Sequence, residues 1–469
     1  MNVTLVNPPN HFARSKPKHK LYGYGVIPPL GILYLASVLE KNGIPTKVID
    51  AMAPLAPLTE MNEMIKIIKR ENPSIVGISA TTPQIRGATQ LATKLREEFG
   101  KDIVIALGGI HVTSDPNFLK RFSVFDFGVV GEGEIAFLKL AKRIQVRERA
   151  SGIHYGERPT NLDEIPFPSR HLINKYDYFE RGQEYANIST SRGCPFSCIF
   201  CNVPASKGQK VRYRSVKNVV DEMEEIKDEY NGRFFFVDDS MTLNRKHTLQ
   251  LCEEIITRKM DVEWCCQTRV DLVDESLLET MHRAGCKSIS LGVESGCERI
   301  RNKIIHKNIT NEQIFRAFQL CKEIDVRSSC YLMLGFPTET RDELYQTVDI
   351  AMKINPDIIG VHLTEIMPGT DIFEHAVKEG IIANEIFDKY AHGEVQLVNW
   401  PVYIPKGLSL NDLLEARKEA YMKFYFRPQF ILRRLAQDLV SWRNFKMDAY
   451  MAWQLFRHGA TPSSLDRMD

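Results

Sequence analysis

Short apolar runs recur along the first third of the chain, and stretches with helical spacing of apolar positions separate them. Within residues 1–150 the runs Val3–Val6, Thr46–Ile49, Ile75–Ser79, Ile103–Leu107 and Phe127–Val130 predict strands. Helices are predicted near Pro29–Asn42, Leu58–Glu71, Gln84–Phe99, Asn117–Phe122 and Ile135–Ile144. Such alternation predicts an α/β domain, a doubly wound, Rossmann-like parallel sheet covered on both faces. Ligands of such a sheet bind at the carboxyl ends of its strands.

Residues 151–185 break the pattern. Within them, Leu162-Asp163-Glu164-Ile165-Pro166-Phe167-Pro168-Ser169 reads as an extended connection, because two prolines so close forbid a helix. From Ala186 the alternation resumes. Strands are predicted at Ala186–Thr190, Phe234–Val237, Val262–Gln267, Ser288–Gly292, Arg327–Leu334 and Ile358–His362, with helices such as Val216–Glu229 and Arg341–Ile354 between them. Six βα units over residues 186–400 predict a partial barrel, with its working groups at the carboxyl ends of the strands. Residues 401–469 predict a helical tail. A helix over Asn411–Tyr425 precedes a run of aromatic and basic residues, Tyr425 to Leu435, and a further helical pattern with Trp442, Tyr450 and Trp453. Two readings stand for this tail: a cap that closes the barrel, or a basic amphipathic surface that reaches a lipid.

Length and composition narrow the class. A chain of 469 residues has room for two or three domains. A net charge of +2 gives no argument for nucleic-acid binding. The 10 cysteines form no extracellular disulfide pattern, and Cys265 and Cys266 are adjacent. With no signal peptide, a reducing cytoplasm is expected, peripheral to a membrane if the tail meets lipid. No apolar stretch reaches the length of a membrane span.

The chemistry concentrates in Ser191-Arg192-Gly193-Cys194-Pro195-Phe196-Ser197-Cys198-Ile199-Phe200-Cys201-Asn202. Three cysteines in C-x₃-C-x₂-C spacing cannot all pair with one another. A structural zinc wants a fourth ligand at short spacing, and the next dozen residues hold none. Thiolates also favour iron–sulfur clusters. On a four-iron cluster three ligands leave one iron open to a small chelating molecule. The first domain offers small-residue loops at its strand ends: Asn7-Pro8-Pro9, Pro28-Pro29-Leu30-Gly31, Ser79-Ala80-Thr81-Thr82, Gly108-Gly109-Ile110-His111-Val112-Thr113 and Gly131-Glu132-Gly133-Glu134. Small residues let a bulky ligand approach the backbone. No G-x-G-x-x-G follows the first strand, which argues against a nicotinamide cofactor.

The cysteine loop, with Phe200 before its third cysteine, resembles the radical S-adenosylmethionine (SAM) superfamily. The loop series before it looks like the cobalamin-binding domain that precedes the radical domain in the subgroup of class B methylases and anaerobic cyclases. The resemblance implies a [4Fe–4S] cluster on Cys194, Cys198 and Cys201, with SAM on the open iron. It implies that the Phe200 backbone meets the adenine and that Asp239, Arg269 and Glu294 belong to the SAM pocket. Cobalamin would lie along loops holding Asn7, Pro8, Ser79, Thr81, Gly108, Gly109, His111, Gly131 and Glu132. The D-x-H-x-x-G motif of many cobalamin proteins is missing, so the resemblance implies no protein histidine on cobalt. His111 is expected as a partly exposed loop histidine. Most of the seven other cysteines are expected as apolar filler. Cys297, beside Glu294-Ser295-Gly296, is the one with a possible catalytic role, and no catalytic residue is assigned.

The resemblance further implies methylation of an unactivated carbon or a phosphinate phosphorus, through methylcobalamin and a 5′-deoxyadenosyl radical. The alternatives are a cobalamin-dependent cyclase or ring-rearranging enzyme of the tetrapyrrole type, and a non-catalytic cobalamin-binding protein. A methylthiotransferase would carry three further cysteines in its first domain, and here no cysteine precedes Cys194. A low-potential electron donor such as ferredoxin or flavodoxin is expected, with no nucleic-acid partner. Peptide, lipid, tetrapyrrole and natural-product precursors all stand open as substrates.

Overall fold

The computed structural model describes residues 1–10, 27–53, 61–148, 152–174, 176, 178, 185–395, 401–428, 430 and 431. The chain folds into two six-stranded parallel sheets joined by a short connection. In the first, strands β1 (Val3–Asn7), β2 (Thr46–Asp50), β3 (Ile75–Ser79), β4 (Val104–Gly108), β5 (Phe127–Val130) and β6 (Gly152–Tyr155) stand in the order β2-β1-β3-β4-β5-β6. Helices α1 (Leu30–Lys41), α2 (Met61–Glu71), α3 (Ile85–Phe99), α4 (Ile110–Ser114), α5 (Phe118–Arg121) and α6 (Gly133–Gln145) cover it. The strand order reverses between β1 and β3, and ligands bind at such a switch point. Two of these elements differ from the sequence expectation. Strand β6 falls within the stretch read as a connection, and pairs in parallel with β5 from Phe127↔Gly152 to Val130↔Tyr155. It is an outer strand whose side chains are exposed or half-buried, so it carries no apolar run. Helix α4 occupies what was read as a loop, directly after Gly109.

The second sheet runs β14-β13-β12-β11-β10-β7, all parallel. Its strands are β7 (Ala186–Ile188), β10 (Arg233–Phe236), β11 (Glu263–Arg269), β12 (Cys286–Glu294), β13 (Arg327–Leu334) and β14 (Ile358–Leu363). A two-stranded antiparallel ribbon, β8 (Ser191–Arg192) and β9 (Arg212–Tyr213), stands between β7 and β10. Between β8 and β9 lies the short helix α7 (Val203–Ser206). Helices α8 (Val216–Ile226), α9 (Arg245–Thr257), α10 (Glu275–Arg283), α11 (Asn311–Glu323) and α12 (Arg341–Ile354) follow in turn. All five helix starts carry side-chain caps, from Ser215, Asn244, Asp274, Thr310 and Thr340. Each oxygen satisfies an N–H that the first helical turn leaves unpaired.

Beyond β14 come α13 (Asp371–Lys378), α14 (Ile386–His392) and α15 (Leu410–Tyr425). Helix α14 returns to the first sheet. Phe387, Tyr390 and Ala391 are buried in that sheet's core, and Tyr390 donates to the Pro83 carbonyl at 3.1 Å. Helix α15 lies over the outer strand β14. The Val361 N–H donates to Tyr421 Oη at 2.9 Å, and the Ile359 N–H to Tyr425 Oη at 3.2 Å. Two tyrosine hydroxyls thus occupy the exposed edge of β14, where a further strand would otherwise pair. For the described part of the tail, this is the cap. The aromatic and basic run beyond Ile431 lies outside the described residues. Among those described, no helix is long and apolar enough to cross a membrane.

Candidate active site

The carboxyl ends of the two sheets share one cleft of about 430 Å³. Leu5, Gly77, Ser79, Gly108, Gly109, Thr113, Gly131, Glu132 and Glu134 line it from the first sheet, with Leu30, Gly31, Ile32, Tyr34 and Leu35 of α1 and Phe137 of α6. Ser189, Arg192, Ser206, Lys207 and Val237 line it from the second. Two glycines decide the shape of its walls. Gly109 has φ +97°, and a Cβ there would stand 2.6 Å from the Ala80 backbone, so no other residue fits. At Gly31, by contrast, no atom lies within 4 Å of where a Cβ would stand, so the backbone faces open space.

Of the loop residues that the sequence picks out, Ser79, Gly108, Gly109, Gly131 and Glu132 line this cleft. Asn7, Pro8, Thr81 and His111 are not among its lining residues. Asn7 Nδ2 donates to Asp50 at 2.7 Å, and Gln84 Nε2 donates to Asn7 and to the Pro8 carbonyl at 2.7 and 2.8 Å. Thr81 is held by Gln84 Oε1. These three brace the strand ends. His111 differs most from expectation. It is fully buried in α4, with its ring edge-on to Phe118 at 4.8 Å. Burial pushes its pKa down to about 4. Among the described residues lining the cleft none is histidine.

The cysteine loop begins one residue beyond Arg192. Its first turn is set by Gly193, at φ +107°. The Cys194 N–H donates to the Gly208 carbonyl at 3.1 Å, and the Cys201 N–H to the Cys198 carbonyl at 2.9 Å. Behind the loop Asp238 is fully buried and accepts from Thr190 N–H, Thr190 Oγ1 and Ser191 Oγ, which fixes the approach to the ribbon. All three cysteines are free and half-buried. Burial pushes their thiols up, Cys201 to about 11, while Arg269 and Lys307 pull Cys194 and Cys198 back down. A soft metal centre that displaces the thiol protons would offset that cost. Among the described residues no three His, Cys, Asp or Glu side chains close around the position of a single ion. Three thiols on one loop, with Arg269 and Lys307 near Cys194 and Cys198, suit an iron–sulfur cluster.

The three groups expected for SAM sit around this loop. Asp239 is paired with Lys207 at 2.7 Å, and its Oδ2 is buried with no protein partner. That orphan oxygen is an acceptor looking for a donor such as an ammonium or a ribose hydroxyl. Arg269 lies with its guanidinium carbon 3.8 Å over the Phe196 ring of the cysteine loop. Its Nε and Nη2 are already committed to Asp271 at 2.9 and 3.0 Å, and Nη2 also donates to the Lys307 carbonyl at 2.6 Å. Glu294 has φ +67° and accepts from Lys307 Nζ at 2.7 Å. The Phe200 ring stands 6.0 Å from that of Phe336. Cys297 is buried, with its Sγ 3.3 Å from Glu343, in the apolar cluster that holds Ile199 and Phe336.

Sequence reasoning passed over Arg192, Lys207 and Tyr34. Arg192 was legible by its place beside Gly193-Cys194. Lys207 reaches both Asp239 and the cleft, and only the turn of α7 after the cysteine loop brings it there.

Comparison with known proteins agrees with this division of the chain. The radical SAM superfamily matches residues 188–351, and the B12 binding domain matches residues 22–141. The chain is 31% identical to the uncharacterized methyltransferase PH0819 of Pyrococcus horikoshii, over 92% of this chain and 94% of that protein. It is 30% identical to the anaerobic magnesium-protoporphyrin IX monomethyl ester cyclase of Rubrivivax gelatinosus, over 88% of this chain and 76% of that one. Among solved structures it is similar to the radical SAM methyltransferase TsrM of Kitasatospora setae, a structure with cobalamin and a [4Fe–4S] cluster bound. There the TM-score is 0.66 at 21% identity, covering 81% of this chain and 75% of that one.

Proposed function

This chain belongs to the cobalamin-binding radical SAM enzymes, and we propose that it is a methyltransferase acting on an unactivated carbon or a phosphinate phosphorus. The observation that supports this most directly is the shared cleft. Loops of the B12-type domain and the segment around the cysteine loop border one space, so a substrate held there meets both cofactors. A carbon with neither acidity nor nucleophilicity cannot attack the methyl of SAM directly. When bound, the cluster with SAM supplies a hydrogen-abstracting radical, and cobalamin supplies the methyl group.

The chain's own residues do the rest. Cys194, Cys198 and Cys201 would hold the iron as thiolates, with Arg269 and Lys307 favouring that form at Cys194 and Cys198. Asp239 and Glu294 offer carboxylates to the donors of SAM. Ser79, Gly108, Gly109, Gly131 and Glu132 bring backbone close to the corrin. Tyr34, Leu35 and Phe137 make that wall apolar and keep water from a reactive intermediate. A low-potential donor of the ferredoxin or flavodoxin type delivers the electron. The cytoplasm suits the chain, since none of its 10 cysteines is paired in a disulfide.

The cyclase relative supports a second reading, ring formation on a tetrapyrrole without methyl transfer. One experiment tests both: anaerobic reconstitution with iron, sulfide, cobalamin, a strong reductant and methyl-labelled SAM, in the presence of host extract. Label entering an extract component, with S-adenosylhomocysteine and 5′-deoxyadenosine formed together, is the expected result. 5′-Deoxyadenosine formed while a product appears without label would overturn methyl transfer and favour the cyclase. Absence of 5′-deoxyadenosine from a fully reconstituted protein would leave only a binding protein.

A further inference from the structure

Four buried charges join the two cofactor-bearing loops. Glu132 caps α6 at the end of the loop after β5, and Glu134 lies in that helix's first turn, both on the first sheet's side of the cleft. Arg192 and Arg212 are cross-strand partners in the β8–β9 ribbon, which leads straight into Cys194. Arg192 donates to Glu132 and to Glu134, each at 2.8 Å. Arg212 forks onto both oxygens of Glu132, and also donates to the Pro159 and Lys207 carbonyls at 2.9 and 3.2 Å. The four side chains are 6 to 14% exposed. Tyr34 of α1 closes the group, with the Arg192 guanidinium 5.1 Å over its ring.

We propose that this Glu132–Arg192–Arg212–Glu134 cluster is a positioning device that sets the separation of cobalt from the iron–sulfur cluster. This rests on the reading that the two loops carry those two cofactors. Three features make the cluster a ruler rather than a generic tether. Its charges cancel only when the domains are together, because both carboxylates belong to one side and both guanidiniums to the other. The bidentate Arg212–Glu132 contact fixes an angle as well as a distance. Both ends are stiff. The carboxylate loop is backed by Gly156, where a Cβ would stand 1.8 Å from the Glu132 carbonyl, and the Gly131 N–H donates to Thr113 Oγ1 at 2.9 Å. The ribbon is anchored by Asp238 and by the Cys194–Gly208 bond. A change at Glu132 is therefore carried to Cys194 through few soft torsions.

The test uses the full chain loaded with cobalamin and a reduced cluster. Both Co(II) and the reduced cluster are paramagnetic, so pulsed electron paramagnetic resonance reads their separation directly and needs no substrate. The native chain should give one narrow distance distribution. Arg212→Met and Glu132→Gln should shift it or at least double its width, with cobalt and iron content at native levels. Arg212→Lys keeps the charge and loses the fork, and should broaden the distribution less; it also serves if Arg212→Met does not fold. A native distribution in variants with full cofactor content would overturn the positioning role, since a purely structural contact would lower the melting temperature and leave the distance alone. A native chain that takes up no corrinoid would instead sink the functional reading itself.

Discussion

His111 makes acid stability a test of the fold beneath the corrin cleft. The ring is fully buried, with Nδ1 3.3 Å from Thr82 Oγ1 and Nε2 without a protein partner. Burial lowers its pKa from 6.5 to about 4; Asp115 opposes the shift and Arg121 adds to it. Between those values the unfolded chain binds the proton and the native chain does not, so stability falls as pH falls. The contribution is complete above pH ~6.5 and is lost on the way down to pH ~4. A shift of about 2.5 units corresponds to about 3 kcal/mol in all, of which about 2 kcal/mol is already lost at pH ~5. Urea unfolding of the native chain and of His111→Leu, each at pH 7 and at pH 5, isolates the effect. Groups such as Glu339, whose buried carboxyl is pushed up to about 7 and so acts in the opposite sense, are common to both chains and cancel. The native chain should lose about 2 kcal/mol more than the variant between the two pH values. Equal losses would refute the claim that His111 stays neutral in the fold. Cobalamin uptake should be unchanged in His111→Leu, because His111 does not line the cleft.

Replacing Cys194, Cys198 and Cys201 together with Ala should remove the iron and all 5′-deoxyadenosine formation, read by metal analysis and chromatography; retained SAM cleavage would overturn the ligand set. Glu222 is fully buried between Arg170 at 2.6 Å and Arg214 at 2.5 Å, so Glu222→Gln leaves two buried guanidiniums without their charged partner and should cost about 3 kcal/mol in urea unfolding. Tyr421→Phe and Tyr425→Phe each strip the outer edge of β14 of a hydroxyl and should cost about 1 kcal/mol apiece. Hydrogen exchange at the Val361 and Ile359 amides should quicken in the matching variant, and unchanged exchange would mean that the helix, not the hydroxyls, protects the strand.

The strands were legible because the interior of a parallel sheet buries both faces. Val3–Asn7 and Ile75–Ser79 are apolar runs almost without interruption, and both are buried along nearly their whole length. Strand β6 failed the same test, since Gly152-Ile153-His154-Tyr155 lies at the sheet's outer edge and buries little. The cysteine loop was legible because its chemistry is local: three thiols within eight residues carry their own meaning. What could not be read is what distant segments do to one another. His111 looks like a loop residue in sequence, and is buried because Phe118 and Phe387 close over it. Glu132 could be placed on a ligand loop, yet nothing local shows that its oxygens belong to Arg192 and Arg212. The same holds for Asn7 and Thr81, which stand at the right strand ends but serve the bracing there rather than the cleft wall.

That contrast bears on how such an enzyme can work. The proposed chemistry would need two cofactors held at a fixed separation with water excluded. Covalent connection does not secure this, because the described part of the segment between the sheets holds only short 3₁₀ turns, at Leu162–Glu164 and Arg170–Ile173. Three non-covalent devices secure it instead. Helix α14 plants apolar side chains in the first sheet's core. The Arg170–Glu222–Arg214 chain ties the connection to α8 and the end of the ribbon. The Glu132 cluster acts nearest the cleft. Apolar burial of α14 tolerates small slides. Guanidinium–carboxylate contacts, at Glu222 and at Glu132 alike, tolerate them less, because their hydrogen bonds fix direction as well as distance, and the one at Glu132 lies nearest the cleft.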